Sequence, residues 1–437
     1  MKKTLISILV LLGTSGLAHA DNLLDIYHLA QQKDPQLLES KAVRDRAFEA
    51  INETDAARLP QINLGATTGY RKTDKHDANT AATLGGNLGL SQSLYRRSNW
   101  INSDISSKVA TQADVAYNAE QQGLMVRSAQ AYFAVLSAQD TLEFSKANRE
   151  ALKRQLDETQ QRYEVGMSAI TDVHEAKAAF DLAEANVIVA ENALSNSYEG
   201  LRQLTGMEHK FLDILNTDRF ATSPLELDAD HWMKLAEDSN LSLHRQRIAK
   251  EIAKQQIDLA QTGHEPTLDL SAGLSSAYTN YEWNRGTYQD GTLNTASVGL
   301  SFNLPLYQGG AVESRVKQAQ FNYVAASESL EKTFRDVQAT LNRNYNDVNG
   351  SIGTVRAYQQ SVISAESALT ATRAGYEVGT RTVVDLLDAT RNLYSAKQQL
   401  STARYNYILN RLAIKQTAGT LTEDDLVSVN QGLKPAA

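Results

Sequence analysis

The sequence predicts a mixed α and β protein: each chain supplies four strands of a membrane β-barrel and four long, paired helices, laid out as two internal repeats. Three observations predict this. The stretch 375–390, GYEVGTRTVVDLLDAT, has a twin at 162–177, RYEVGMSAITDVHEAK. Tyr163, Glu164, Val165, Gly166, Asp172 and Ala176 recur 213 positions later as Tyr376, Glu377, Val378, Gly379, Asp385 and Ala389. Proline is absent between Pro60 and Pro224 and again between Pro305 and Pro435, which leaves room for very long helices. Four short segments alternate apolar and small or polar residues with the period of a strand.

Residues 1–20 read as a signal peptide: Lys2 and Lys3, an apolar run over 5–12, and Ala18-His19-Ala20 as a cleavage site before Asp21. The run is too short to span a bilayer as a helix. The formal charge is −8 and removal of Lys2 and Lys3 makes the chain more acidic, which argues against a nucleic-acid partner. There is no cysteine, so a thiolate metal or redox site is excluded. No later segment is apolar enough for a transmembrane helix, so a membrane role falls to strands.

The strands come first in each half. Ile62, Leu64, Ala66, Thr68 and Tyr70 alternate with polar or small neighbours, as do Leu84, Leu88, Leu90 and Leu94. In the second half the same holds for Leu268, Leu270, Ala272 and Leu274, and for Ala296, Val298, Leu300, Phe302 and Leu304. One apolar face and one polar face suit lipid outside and water inside. A half-buried soluble sheet shares the alternation. The signal peptide and the polar segments 71–80 and 279–294 favour the barrel. Four strands cannot close, and open edges are not tolerated in lipid, so copies must associate. Two copies give eight strands with a filled interior, and three give twelve; a pore favours three.

The helices follow. Residues 97–164 read as nearly one helix interrupted only at Gly123, and 310–376 likewise, with Gly350 and Gly353 as soft points. At 1.5 Å per residue each would be about 100 Å long. Each then turns at a glycine tip, because glycine suits the left-handed end of a helix. The returning helix of the second half carries Leu386, Leu393, Leu400, Tyr407 and Ile414 seven apart, with Ala389, Ala396 and Ala403 beside them. The first half does the same with Val173, Phe180, Val187, Leu194 and Leu201, and Ala176, Ala183 and Ala190. Large residues alternating with alanine make a coiled-coil seam. The long second helix adds its own stripe, from Leu330 and Phe334 to Val355.

No Walker loop, HExxH or nucleophile elbow is present. His174 sits between Asp172 and Glu175, but its twin is Leu387, and it reads as an exposed histidine at a helix start. Asp385 and Asp388 share a helix face at a tip, with Asp172 and Glu175 at the twin positions. In a symmetric trimer six such aspartates could converge on an axis.

Together, YEVGTRTVVDLLDAT, YEVGMSAITDV, EPTLDLSAGLS, VGLSFNLPLYQGG and GTLTEDDL make the chain resemble the TolC family of outer-membrane efflux and secretion channels over essentially its whole mature length. The resemblance implies a homotrimer with a twelve-stranded outer-membrane β-barrel, four strands per chain, continuing into a periplasmic α-helical coiled-coil tunnel. It implies three further partners: a periplasmic adaptor of the membrane fusion type, an inner-membrane RND or ABC transporter, and outer-membrane lipid. Catalysis and cofactors are not implied. The closing latch falls on Tyr376, Arg381, Asp172 and Thr171, and the acidic constriction on Asp385 and Asp388. The adaptor-binding tips fall on Val165 and Gly166 and on Val378, Gly379 and Thr380. Met167 stands where the family usually has leucine.

The expected division is a signal peptide over 1–20, a first repeat over 21–210, an equatorial linker over 211–230, a second repeat over 231–418 and an equatorial tail over 419–437. In the first repeat, strands fall at 61–72 and 82–95, and helices at 97–164 and 170–205. In the second, strands fall at 267–280 and 294–306, and helices at 310–376 and 382–416. A periplasmic coiled-coil scaffold with a soluble sheet is the competing reading.

Overall fold

The computed structural model describes residues 21–72, 80–281 and 290–435. The signal peptide lies outside them, as do the central parts of the two polar inter-strand segments. The order of elements is α1 (Leu23–Lys33), α2 (Pro35–Ala56), β1 (Gln61–Arg71), β2 (Ala81–Tyr95), α3 (Arg97–Glu164), α4 (Ile170–Thr205) and β3 (Ile214–Leu215). It continues with α5 (Ala229–Ser239), α6 (Leu241–Gln261), β4 (Thr267–Tyr281), β5 (Gly291–Asn303), α7 (Ala311–Glu377), α8 (Val383–Ala418), α9 (Glu423–Asn430) and β6 (Leu433–Lys434). No helix among the described residues is long and apolar enough to cross a membrane. The chain forms two compact units, and α3 and α7 each contribute to both.

One unit comprises Glu39–Ala119 and Leu241–Asp336. Its centre is an antiparallel sheet in the order β1-β2-β4-β5. The register lines up Ile62, Leu90, Ala272 and Val298 across the four strands, and Leu64, Leu88, Leu274 and Ala296 in the next row but one. Between these rows lie Asn63, Gly89, Gly273 and Ser297 on the opposite face. Period-two alternation on every strand therefore adds up to one apolar and one polar face. The apolar face is bare: Leu64 is 84% exposed and Val298 80%. β1 and β5 each pair on one side only among the described residues.

Two strand expectations need correction. β5 begins at Gly291 and stops at Asn303, so Leu304 is not a strand residue. Pro305 has no N–H for a ladder and ends the pairing. The register of β2 against β4 shifts between Ser93 and Tyr95, so Leu94 does not continue the apolar row of Leu90 in step. Below the sheet, Val115, Ile248 and Ile252 form a small core. Arg44 bonds Asp114 at 2.5 Å and stacks its guanidinium over Phe48 and Tyr117. Arg97 reaches Glu265 at 2.6 Å, and Arg96 reaches Asp269 at 3.0 Å.

The other unit comprises, among the described residues, 21–38, 120–240 and 337–435. Neither α3 nor α7 breaks at its glycines: Gly123, Gly350 and Gly353 are all helical. A helical glycine costs only about 1 kcal/mol, which the neighbouring turns outweigh. On α8, Leu386, Leu393, Leu400, Tyr407 and Ile414 are all buried, and each such side chain contributes about 1.5–3 kcal/mol relative to exposure. Tyr132 and Phe133 of α3 are fully buried, and the Tyr132 hydroxyl donates to the Asp213 carbonyl at 2.7 Å. Burial pushes that phenol well above its ordinary pKa. Asp140 accepts from Tyr405 at 2.7 Å and also from Ser401, tying α3 to α8. The two short strands β3 and β6 pair with each other, and α1 is fastened to α9 by the Asn430 side chain accepting from Leu23 N at 3.1 Å.

Away from the tips, α4 and α8 each end on a left-handed glycine, Gly206 at φ 68° and Gly419 at φ 76°. Around Gly206 there is open space, whereas a Cβ on Gly419 would lie 2.1 Å from the Ser239 carbonyl oxygen. Gly206→Ala is therefore expected to cost only the backbone penalty of about 1–2 kcal/mol. Gly419→Ala should cost clearly more, because a main-chain carbonyl cannot swing aside. Denaturant titration followed by circular dichroism checks the order, and equal losses would contradict this packing.

Candidate functional site at the helical tips

Both tips are built by the same local chemistry. At the first, α3 ends on Gly166 at φ 77°, with Met167 N donating to the Arg162 carbonyl at 2.7 Å. At the second, α7 ends on Gly379 at φ 76°, with Thr380 N donating to the Gly375 carbonyl at 2.8 Å. A Cβ on Gly375 would lie 2.7 Å from Cγ of Arg381, so this glycine makes room for the arginine stem. Val165, Met167 and Val378 project into solvent at 70%, 73% and 74% exposure. Thr171, Gly166, Thr380 and Arg381 are exposed as well. The tips are thus apolar knobs on short glycine turns.

The helices that follow begin with carboxylate caps. Thr382 N donates to Asp385 Oδ2 at 2.9 Å, the Thr382 hydroxyl donates to the same oxygen at 3.0 Å, and Asp385 N donates back to that hydroxyl at 3.2 Å. This closed capping box uses the helix-start donors. The Thr382 backbone N–H, then its hydroxyl, hold the Asp385 carboxyl below the usual range, with the Arg381 charge adding to them. At the first tip the Asp172 carboxylate accepts from Ser168 Oγ at 2.7 Å and from Ala169 N at 3.3 Å. Asp388 instead pairs with Arg391 one turn on. Such an exposed pair is worth about 0–1 kcal/mol and leaves the carboxylate available.

The predicted residues are only partly brought together within one chain. Tyr376 is buried among Leu152, Ala183, Val383, Leu386 and Leu387, and the Arg162 guanidinium lies over its ring at 4.7 Å. Arg381 and Asp172 make no ion pair with each other among the described residues. Asp388, Arg391 and Glu175 line one cavity of about 310 Å³ with Asn148, Leu152 and Leu387, whereas Asp385 and Asp172 do not reach it. His174 is exposed. Sequence reasoning missed the cap partner Thr382 and the ring contact of Arg162. A Thr three residues before an Asp at a helix start is a legible signal for the first. The second joins residues on opposite halves, and no local pattern marks it.

A long-helix hairpin pair joined to an open four-stranded sheet with a bare apolar face defines an outer-membrane channel subunit. The chain belongs to the outer membrane efflux protein family, whose profile matches residues 26–207 and again 232–420. It is 47% identical over 438 residues to the outer membrane protein TolC of Vibrio cholerae serotype O1, covering 100% of both chains. It is 30% identical over 448 residues to the proteases secretion protein PrtF of Dickeya chrysanthemi, covering 98% of this chain and 94% of that one. Its fold matches a crystal structure of CusC with a TM-score of 0.79 at 17% identity, covering 92% of each chain.

The cap of α8 carries a pH dependence whose sign follows from Asp385. Its folded pKa is depressed, so the cap is fully formed above the unfolded carboxylate value of about 3.9 and is lost as pH falls through the lower folded value. Amide hydrogen exchange at Thr382 and the residues after it should therefore accelerate in acid. Asp385→Asn should exchange fast at every pH. An unchanged acid profile in that variant would show that the cap is not what protects the tip.

Proposed function

We propose that the protein is the outer-membrane exit duct of drug efflux and type I secretion assemblies, a channel rather than an enzyme, working as a homotrimer. One observation carries this reading: among the described residues the four-stranded sheet has two unpartnered edges and a bare apolar face. Neighbouring strands all run antiparallel, so β5 of one copy meets β1 of the next in the same sense. Three copies then close twelve strands with lipid outside and polar residues inside. Two similar halves per chain, at 21–210 and 231–418, would give the trimer sixfold-like helical hairpins, and the double match of the family profile supports that division. The segments 211–230 and 419–437 would form the equatorial belt, and 1–20 the export signal.

The helical end is the gated end, and a periplasmic adaptor with an inner-membrane RND or ABC transporter opens it. The adaptor docks on the exposed knobs at Val165 and Gly166 and at Val378, Gly379 and Thr380. The latch joins hairpins rather than residues of one hairpin: Arg381, whose charge acts on Asp385 but which has no carboxylate at ion-pair distance among the described residues, reaches Asp172 and Thr171 on a neighbour, with the Tyr376 hydroxyl adding a bond. Asp385 and Asp388 from three copies form the acidic constriction, where rings of carboxylates favour cations. Secretion by PrtF, named for proteases, and the name of TolC in Vibrio cholerae as an outer membrane protein support the duct reading. A periplasmic scaffold would leave Leu64, Val298 and Leu300 in water, and it would wash from membranes without detergent.

Two recordings on particles of three-chain mass in planar bilayers test this. Tyr376→Phe with Arg381→Ser should raise single-channel conductance, since each latch bond is worth about 0–1 kcal/mol but acts threefold. Unchanged conductance would remove the latch. Multivalent cations added on the periplasmic side should block the current, and Asp385→Ala with Asp388→Ala should abolish the block while the trimer persists. Equal block in both proteins would sink the acidic ring.

A further inference from the structure

A second cavity, unconnected with the tips, lies in the unit that contains α8 and α9. It measures about 310 Å³ and is enclosed by α8, α9 and the segment running from Leu215 to Ala221. Its floor is apolar, made by Leu215, Ile408, Leu412 and Val429. Phe220 and Tyr407 form one wall, their rings edge to face with centroids 5.9 Å apart. Three basic side chains line it, Arg219, Arg411 and Lys415, together with Asp425 and Ser428.

The charges do not cancel. Lys415 is neutralised by Asp425, the only carboxylate in the lining. Arg411 uses Nη1 to donate to Ser223 Oγ at 3.1 Å and to Tyr407 Oη at 3.2 Å, both neutral oxygens. Neither Arg219 nor Arg411 has a carboxylate at ion-pair distance among the described residues. Two guanidinium groups thus border an apolar hollow without a counter-charge from the protein. Guanidinium is the side chain best matched to a carboxylate or phosphate head. A small inorganic anion would leave the floor wet, and a neutral hydrocarbon would leave the arginines unpaired. Pockets of about 300–1,000 Å³ with apolar walls and a few placed polar groups are ordinary small-molecule sites.

The geometry points to a binding site for an anionic single-chain amphiphile, a fatty carboxylate whose head lies between Arg219 and Arg411 and whose tail fills the hollow floored by Leu215, Ile408, Leu412 and Val429. The site goes beyond the duct reading and does not depend on it. Its occupant would add to the contacts that already join α8, α9 and the segment from Leu215 to Ala221, the Lys415–Asp425 pair and the packing of Phe220 on Tyr407. A volume of about 310 Å³ suits one short acyl chain, which favours a monoacyl anion.

Radiolabelled dodecanoate, titrated onto the full-length protein in nanodiscs, tests the assignment. One saturable site per chain is expected above the linear partition into lipid. Arg219→Gln with Arg411→Gln should weaken it by about tenfold or more, as loss of a charge-assisted pair does. Arg411→Lys should stay closer to wild type. Val429→Trp keeps both arginines but fills the hollow and should remove the saturable component, while an unchanged far-ultraviolet circular dichroism spectrum and melting temperature check that the variant is folded. Dodecanol and inorganic phosphate should each bind at least about tenfold more weakly than dodecanoate. A crystal soaked with ω-bromododecanoate should place the bromine beside Leu215 and Leu412. No saturable site in the wild type would overturn the proposal. So would unchanged affinity in the double glutamine variant, or dodecanol binding as well as dodecanoate.

Discussion

Backbone groups at a sheet edge must be paired wherever water is absent, and that requirement governs the rest of this molecule. Among the described residues β1 and β5 each leave one edge open, while β2 and β4 are paired on both sides with one register shift between Ser93 and Tyr95. The strands are 11, 15, 15 and 13 residues long, enough for tilted strands that need about 9–11 residues to cross a hydrocarbon layer. Their apolar side chains are aligned across all four strands, and Ile62, Leu64, Leu274, Val298 and Leu300 are largely bare among the described residues. An aqueous protein with this sheet would aggregate through its edges. Closure by identical copies removes the edges and gives the apolar face its lipid in a single step.

The helices carry a weaker version of the same incompleteness. On α8 the seam is buried within the chain from Leu386 to Ile414. On α4 the alanines Ala176, Ala183 and Ala190 are buried, yet Leu182, Ile188 and Val189 remain 57%, 63% and 67% exposed. A helix with one satisfied face and a second row of large apolar residues is shaped for two neighbours. Within the proposed trimer, the second neighbour is a helix from another copy. Sheet and helices therefore ask for the same partner, and neither demand depends on reading the other.

Much of this was legible because it is periodic. The strands declare themselves through alternation, and the four long helices through absent proline and heptad spacing. Where period failed, so did legibility. Pro305 cut β5 short of Leu304, a local veto that overrode a continuing alternation. Gly123, Gly350 and Gly353 looked like weak points, but helix propensity is a small term against sixty-odd residues of packed helix. β3 and β6 are two residues each and pair across more than two hundred positions, so nothing local encodes them. At the tips, glycine turns and acidic helix starts were readable. The stacking of Arg162 on Tyr376 and the convergence of Asp388 with Glu175 were not, since both exist only after the two halves pack.

The acidic tip residues look alike in sequence and differ in bonding, and the difference bears on gating. Asp385 is committed to its own helix start by two Thr382 donors, whereas Asp388 holds only the exposed Arg391. A multivalent cation on the trimer axis would have to compete with Thr382 for Asp385 but merely displace a surface arginine from Asp388. Competition of this kind is reciprocal: whatever lowers cation affinity by strengthening the cap must equally be weakened when the cation binds. An ion drawn in by both aspartates would therefore loosen the first turn of α8 as it binds, beside the turn that carries Arg381. The proposed constriction and the proposed latch would then be joined through that one turn, so cation occupancy and closure need not be independent controls on the same opening.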